Sequence, residues 1–124
     1  MKTTKRNLRR IGFAQEERAA RFLEAKGYRI LGRNLHAGRA GELDILAEKD
    51  GVVCAAEVKY RSSDAYGDPL EAIDQKKRRR FCRAALYYFT KYGYYGKTPC
   101  RLDAIGVYGD GSIRHIENAF PFSL

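Results

Sequence analysis

Three side chains of this sequence, Asp44, Glu57 and Lys59, have the types and the spacing that metal-assisted hydrolysis of a phosphodiester would need. The dipeptide Asp50-Gly51 between them favours a two-residue type I′ turn, because both turn positions require φ > 0. In the hairpin register that this turn sets, Asp44 lies directly opposite Glu57, and Glu42 lies opposite Lys59. Directly opposed residues share one face of a sheet. The register therefore predicts that two carboxylates and an ammonium group lie together.

Two opposed carboxylates repel each other, and a hard divalent cation held between Asp44 and Glu57 would remove that repulsion. Oxygen ligands suit Mg²⁺ or Mn²⁺, and the three widely spaced cysteines form no C-x-x-C zinc motif. Such a cation would lower the pKa of a bound water, while Lys59 would stabilise negative charge on the phosphate. The predicted cofactor is therefore Mg²⁺ or Mn²⁺.

The first helix of the sequence predicts a third acidic residue at this site. Positions 13, 16, 19, 20 and 23 fall on one helical face, so Glu16 lies in the middle of an apolar stripe. A buried carboxylate needs a partner, whereas the neighbouring Glu17 can pair with Arg21 on the helix surface. Glu16 is therefore the candidate third acid of the metal site.

The elements that would position these residues follow from hydrophobic periodicity and from turn residues. The sequence predicts helices or strands at about Gly12 to Lys26, Tyr28 to Leu35, Glu42 to Ala47, Val52 to Tyr60, Asp68 to Tyr92, Cys100 to Tyr108 and Ile113 to Glu117. The segment Asp68-Pro69-Leu70-Glu71 is typical of a capped helix start. The order α-β-β-β-α-β-β predicts an α/β domain with a mixed sheet flanked by helices.

Length and composition restrict the class of protein. The 124 residues, 44% of them hydrophobic, suffice for one modest core, which predicts a single domain spanning 1–124. No apolar run approaches the roughly 20 residues needed to span a bilayer, and no apolar segment follows the cationic start. We therefore expect a cytoplasmic protein without a membrane partner, whose basic residues 1–10 form an N-terminal arm.

The charge of the chain favours a polyanionic partner. Lysine and arginine number 24 against 15 acidic residues, a formal net charge of +9, which is typical of proteins that bind nucleic acid. The candidate phosphate contacts are Lys76, Lys77, Arg78, Arg79, Arg80 and Arg61. Such a run can also be an ordinary solvated helix face, but Lys77 lies on the inner stripe and could reach the site. We expect nucleic acid, preferably DNA, as the partner.

Taken together, these residues resemble a known family. The pattern Glu16 … Gly41-Glu42-Leu43-Asp44 … Ala56-Glu57-Val58-Lys59 is similar to the core of the PD-(D/E)xK nuclease superfamily. Within that superfamily the chain is identified over nearly its whole length as a member of the bacterial UPF0102 (YraN-like) proteins, which are similar to archaeal Holliday junction resolvases. Gln15 and Ala40 stand where the family usually has glycines.

The resemblance implies a restriction-endonuclease-like fold with an αβββαβ core. It also implies that Glu16, Asp44 and Glu57 surround Mg²⁺ and that Lys59 acts with them in catalysis. The activity it implies is cleavage of structured or branched DNA by a metal-dependent endonuclease. Related resolvases act as dimers, so a homodimer is a further expectation.

Other interpretations of the same residues remain open. Glu42 and Lys59 could form a plain cross-strand ion pair, which would occupy the lysine structurally. The protein could be a nuclease-fold module that binds nucleic acid without cutting it, or a homodimeric scaffold whose basic face meets an acidic protein. Away from the site, Tyr88 and Tyr92 are expected in the core, and Asp103 is expected to pair with Arg101.

Overall fold

A computed structural model describes residues 5–61 and 74–122, with only the backbone described for residues 5–11. The described elements are α1 (Lys5–Ala25), β1 (Arg29–His36), a short 3-10 helix (Gly38–Ala40), β2 (Glu42–Lys49), β3 (Val52–Arg61), α2 (Gln75–Lys91), β4 (Cys100–Tyr108) and β5 (Ile113–Ile116). The predicted strands are therefore confirmed, with bounds that differ by a few residues.

The five strands form one mixed sheet in the order β1-β2-β3-β4-β5. Strands β3 and β4 pair in parallel, and the other neighbours pair in antiparallel fashion. A parallel pair needs a crossover connection, which includes α2. The predicted α/β class is confirmed, and the arrangement is consistent with a restriction-endonuclease-like core to which β5 adds an edge strand.

Alternating residues of the sheet pack against a helix on each face. On one face, Ala19 and Leu23 of α1 pack against a cluster that includes Cys54 and Ala56 of β3. On the opposite face, Phe81, Ala85 and Phe89 of α2 belong to a second cluster with other strand residues. This follows from the period of two in a strand, which sends neighbouring side chains to opposite faces.

Helix α1 is longer than predicted. It begins at Lys5, so the part of the predicted 1–10 arm that the structure describes belongs to the helix; residues 1–4 lie outside the described residues. Phe13, predicted on the buried stripe, is 60% exposed. Its ring lies 5.5 Å from the guanidinium carbon of Arg33, which gives it a cation–π contact in place of the core. Gly27, with φ of 95°, follows the helix end as predicted.

Helix α2 begins later than predicted. Asp74 has extended backbone angles, and its side chain accepts a hydrogen bond of 2.8 Å from the Lys77 N–H, which makes it the N-cap of a helix starting at Gln75. An unbroken helix from Asp68 to Tyr92 is therefore wrong, and the segment 68–71 lies outside the described residues. Tyr88 is buried as predicted, but Tyr92 is 43% exposed because it follows the end of the helix.

The hairpin prediction is confirmed over most of its length. Asp50 and Gly51 have φ of 51° and 78°, as a type I′ turn requires. The β2–β3 register runs as predicted from Lys49 opposite Val52 to Ile45 opposite Ala56. The paired ladder ends at Ile45 and Ala56, so the predicted pair of Asp44 and Glu57 lies just beyond it. Across residues 5–61 and 74–122, no helix has both the length and the apolar character needed to cross a membrane.

Candidate active site

The site lies where β2 separates from β3. Beyond the last paired residues, the Val58 N–H donates a hydrogen bond of 2.8 Å to the carboxylate of Asp44. In the hairpin register Val58 would face Leu43, so a side-chain acceptor serves the backbone group where the ladder stops. This bond satisfies a backbone donor and fixes the carboxylate between the two strands.

Glu16 of α1 meets Asp44 at this point. The pKa of Glu16 is raised to about 7 by burial, by the charge of Asp44 and by a hydrogen bond to Asp44. A hydrogen bond from Asn34 lowers this pKa and so opposes part of the rise. The Oε2 atom of Glu16 is buried and has no hydrogen-bond partner among the described residues. Burial also raises the pKa of Asp44, although the Val58 N–H and Lys59 oppose that rise. Near neutral pH, Glu16 therefore binds a proton more readily than an ordinary glutamate does.

Glu57 completes the acidic cluster from the middle of β3. Its carboxylate lies 3.4 Å from the Lys59 Nζ, because residues two apart in a strand share a face. Burial, followed by the charge of Asp44, raises the pKa of Glu57 to about 7, while Lys59 and then Lys77 lower it. All four predicted catalytic residues, Glu16 included, are therefore brought together.

Glu42 is not the partner of Lys59. Among the described residues its carboxylate contacts His36 instead, whose Nδ1 lies 3.2 Å from the Glu42 Oε1. The cross-strand ion pair with Lys59, which the sequence left open as an alternative, is not formed, because the β2–β3 ladder ends before this position. Gly41 precedes Glu42 with φ of 111°, in the left-handed region that favours glycine, and so sets the entry into β2.

The cluster fits a hard divalent cation by its chemistry. Its donors are carboxylate oxygens, which suit Mg²⁺ or Mn²⁺, and Glu16 presents a buried oxygen without a hydrogen-bond partner. Over the described part of the chain, however, no three His, Cys, Asp or Glu side chains are placed closely enough to hold a metal ion. Because the pKa of Glu16 is raised to about 7, a cation would have to compete with a proton at this carboxylate. Metal ligation by Glu16, Asp44 and Glu57 stays a prediction.

Two cavities flank the acidic cluster and meet at Glu42. A cavity of about 540 Å³ is lined by Gly12, Phe13, Glu16, Asn34, His36 and Glu42. A second, of about 360 Å³, is lined by Gly41, Glu42, Glu57, Lys59, Lys77, Arg80 and Phe81. The second cavity, called the site cavity below, combines the acid and the lysine of β3 with two cations of α2.

The six predicted phosphate contacts do not all line the site cavity. Lys77 and Arg80 face the site cavity, and Lys76 is exposed on α2. Arg78 lies over the ring of Phe120 at 5.5 Å. Arg79 and Arg78 line a small cavity that includes none of the acidic cluster. The Nε of Arg61, at the end of β3, is buried with no hydrogen-bond partner among the described residues.

Two features of the structure were not predicted. Asn34 lies in β1 with φ of 51° and contacts Glu16; asparagine tolerates this conformation better than most residues, which is the one signal the sequence offers. Asp103 does pair with Arg101, at 2.9 Å, but it also accepts from the Asn118 N–H at 3.1 Å and lies 2.7 Å from the His115 Nε2. Asp103 is fully buried in this network on β4, which is structural.

These features define a class: a mixed α/β domain with half-buried carboxylates and a lysine where two central strands separate, beside a basic helix. The chain belongs to the uncharacterised protein family UPF0102, whose family model matches residues 15–107. That range includes Glu16, Asp44, Glu57 and Lys59.

Relatives of similar length support the membership. The chain is 44% identical to a UPF0102 protein of Myxococcus xanthus over 119 residues, which are 94% of this chain and 93% of the relative. It is also 44% identical to a UPF0102 protein of Symbiobacterium thermophilum over 90% of this chain and 97% of that one. A UPF0102 protein of Persephonella marina is 42% identical over 85% and 88%. The match therefore covers nearly the whole of each protein.

Proposed function

We propose that this protein is a metal-dependent endonuclease that hydrolyses phosphodiester bonds of structured or branched DNA. The observation that carries the proposal is the meeting of Glu16, Asp44 and Glu57 with Lys59 beside a cavity lined by two further cations. Half-buried acids with raised pKa values and specific charged partners in a cleft are typical of functional sites.

Each residue of the cluster has a distinct role in this proposal. Asp44, Glu57 and Glu16 would hold Mg²⁺ or Mn²⁺, which when bound lowers the pKa of a water and offsets charge on phosphate oxygens. Lys59 orients the scissile phosphate and stabilises the charge that develops on it. Lys77 and Arg80 hold the phosphates on either side, because they line the same cavity.

A second candidate is a module that binds nucleic acid without cutting it. The observation that favours it is the ion pair of 3.4 Å between Glu57 and Lys59, together with the raised pKa of Glu16. The ion pair and protonation of Glu16 would both reduce the negative charge of the cluster without a cation. The two candidates differ in one property, the ability of the acidic cluster to bind a divalent ion.

The deciding experiment measures cleavage of labelled duplex, flap and four-way DNA with Mg²⁺ or Mn²⁺. We expect cleavage of a branched substrate that falls by about 100-fold or more in Asp44→Asn and in Lys59→Gln, as for removal of other transition-state contacts. Asp50→Asn and Lys97→Gln are matched controls, because both residues are exposed and outside the site. They should cleave like the wild type.

Cleavage that survives both site substitutions would come from another residue or another protein, and would overturn the assignment. Absence of cleavage and of metal binding, combined with salt-dependent DNA binding, would establish the binding module instead.

A further inference from the structure

The solvent face of α2 carries a row of cations and a tyrosine that leads away from the site cavity. The residues at positions 80, 83, 87 and 91 recur at intervals of three or four, so they lie along one side of the helix. Over the twelve residues from Arg80 to Lys91 the row extends about 16 Å. It therefore connects the candidate active site with the far end of the helix.

Beside this row is an apolar groove that adjoins the site cavity. The groove has a volume of about 550 Å³ and is lined by Ala40, Arg83, Leu86, Tyr87, Thr90 and Lys91. Gly41 and Arg80 line the site cavity, and their neighbours Ala40 and Arg83 line the groove. The Nε of Arg83 donates to the Arg79 carbonyl at 3.4 Å, which directs this guanidinium toward the start of the helix.

The aromatic ring of the groove is held in place. Tyr87 is 45% exposed, yet its ring packs at 5.0 Å and 85° against the buried Tyr88. The Lys91 Nζ lies 5.8 Å from the centroid of the Tyr87 ring. A ring that is already oriented loses little conformational freedom when a flat ligand stacks on it.

The charge of α2 selects the occupant. Within Gln75–Lys91 the helix has no acidic residue, and its basic residues are Lys76, Lys77, Arg78, Arg79, Arg80, Arg83 and Lys91. A second copy placed on this face would bring the same cations into contact and would be repelled. A partner must therefore be polyanionic and must also offer flat apolar surfaces to Tyr87 and Leu86. A single-stranded nucleic acid offers both, whereas a duplex keeps its base faces stacked inside.

We propose that the α2 groove binds an unpaired strand of the nucleic acid whose phosphodiester lies in the site cavity. A base stacks on Tyr87, and Arg83 and Lys91 contact the flanking phosphates. This inference rests on the proposed function, because that function places the phosphodiester of the bound strand in the site cavity. It restricts the substrate to nucleic acids with a single-stranded segment next to the cleavage point.

The test measures binding in EDTA, so that cleavage plays no part. The probes are a fluorescein-labelled single-stranded DNA of about 15 nucleotides and a blunt duplex of the same length. We expect Tyr87→Ala to weaken single-strand binding by about 5- to 100-fold, as other losses of base–aromatic stacking do, and Tyr87→Phe to retain it. Duplex binding should change by less than about twofold.

Tyr95→Ala is the matched control, because Tyr95 is 64% exposed and does not line the groove; it should bind like the wild type. Arg83→Gln and Lys91→Gln should each reduce the slope of log affinity against log salt by about 0.7. Circular dichroism and thermal melting of every variant show whether it is folded.

Equal binding by the wild type and a folded Tyr87→Ala would overturn the inference, as would an equal loss in Tyr95→Ala. A change in oligomeric mass on Tyr87→Ala without loss of DNA binding would assign the groove to self-association and also overturn it. Tyr87-dependent binding without any cleavage would refute the proposed nuclease and leave the strand site. Cleavage that is unchanged in Tyr87→Ala would support the proposed nuclease and refute the strand site in the α2 groove.

Discussion

The carboxylate of Asp44 accepts a hydrogen bond of 2.8 Å from the backbone N–H of Val58, directly beyond the last paired residues of the β2–β3 ladder. A charged side chain thus takes the position of a backbone acceptor. The contact holds Asp44 next to Glu57 even though the strands have separated, and the repulsion between the two acids follows from it.

Removing the charge of Asp44 should therefore lower the pKa of Glu57. Burial is the larger cause of the raised pKa of Glu57, and the charge of Asp44 is the second. Asp44→Asn keeps an oxygen that can accept from the Val58 N–H and removes only the second cause, so we expect the pKa of Glu57 to fall part of the way from about 7 toward its ordinary value of 4.5. The measurement is an NMR titration of the glutamate side-chain carboxyl carbons, and an unchanged Glu57 titration would show that the two groups do not interact.

Stability of the metal-free protein should fall as the pH rises from 5 to 8. The pKa of Glu57 is about 7 in the folded protein and near 4.5 in the unfolded chain, so the folded state binds more protons across this window. The free energy of unfolding then decreases with pH, by roughly 1–3 kcal/mol for this group. Urea unfolding at several pH values checks it.

Glu57→Gln should flatten that pH dependence, because glutamine does not titrate. Glu24→Gln is the matched control, since Glu24 is exposed on α1, and its curve should follow the wild type. Identical slopes for Glu57→Gln and the wild type would contradict a raised pKa at this position.

Manganese should stabilise the protein more at pH 8 than at pH 6. The ligands must be deprotonated to bind a cation, and Glu16 and Glu57 lose their protons near pH 7. A ligand that binds only the folded state stabilises it by an amount that grows with the logarithm of the ligand concentration divided by the dissociation constant, and so raises the melting temperature. Thermal unfolding with added Mn²⁺ measures this shift, which Asp44→Asn should abolish. An equal shift in that variant would place the ion elsewhere.

Asp103→Asn should be strongly destabilising although it lies outside the site. The change leaves the largely buried Arg101 without its charged partner, and loss of one member of a buried pair typically costs about 3–5 kcal/mol. Asp110→Asn is the control, because Asp110 is exposed and accepts hydrogen bonds from Ser112 in the turn between β4 and β5. Urea unfolding should separate the two by more than about 2 kcal/mol.

Acid should weaken the Asp103 network as well. Its hydrogen bonds to His115 and Arg101 outweigh burial and lower the pKa of Asp103 below its ordinary value of 3.8. Its stabilising effect is therefore present above about pH 4 and is lost as the pH falls through the lowered pKa. This dependence has the opposite sign to that of Glu57, so the two contributions can be told apart.

The sequence predicted the hairpin well because its signals are local. Asp50-Gly51 fixes the turn type, and the turn fixes the register as far as Ile45 and Ala56. The meeting of Glu16 with Asp44 was also predictable, because an acid on an apolar helical stripe must have a partner.

The failures have causes that lie outside any local pattern. Glu42 does not face Lys59, because the Asp44–Val58 bond ends the ladder before that position. Phe13 lies outside the core even though it continues the stripe, because it contacts Arg33 instead. Asn34 carried no strong signal, since its left-handed backbone depends on the strands around it.

The two-residue turn at Asp50-Gly51 has a consequence for how the sequence can vary. One extra residue there would shift the pairing of β2 with β3, and because neighbouring side chains point to opposite faces, Glu57 and Lys59 would no longer meet Asp44. The loop between β4 and β5 bears no acid of the cluster and can change in length without moving it. Functional members of the family should therefore hold the first loop constant in length and let the second vary.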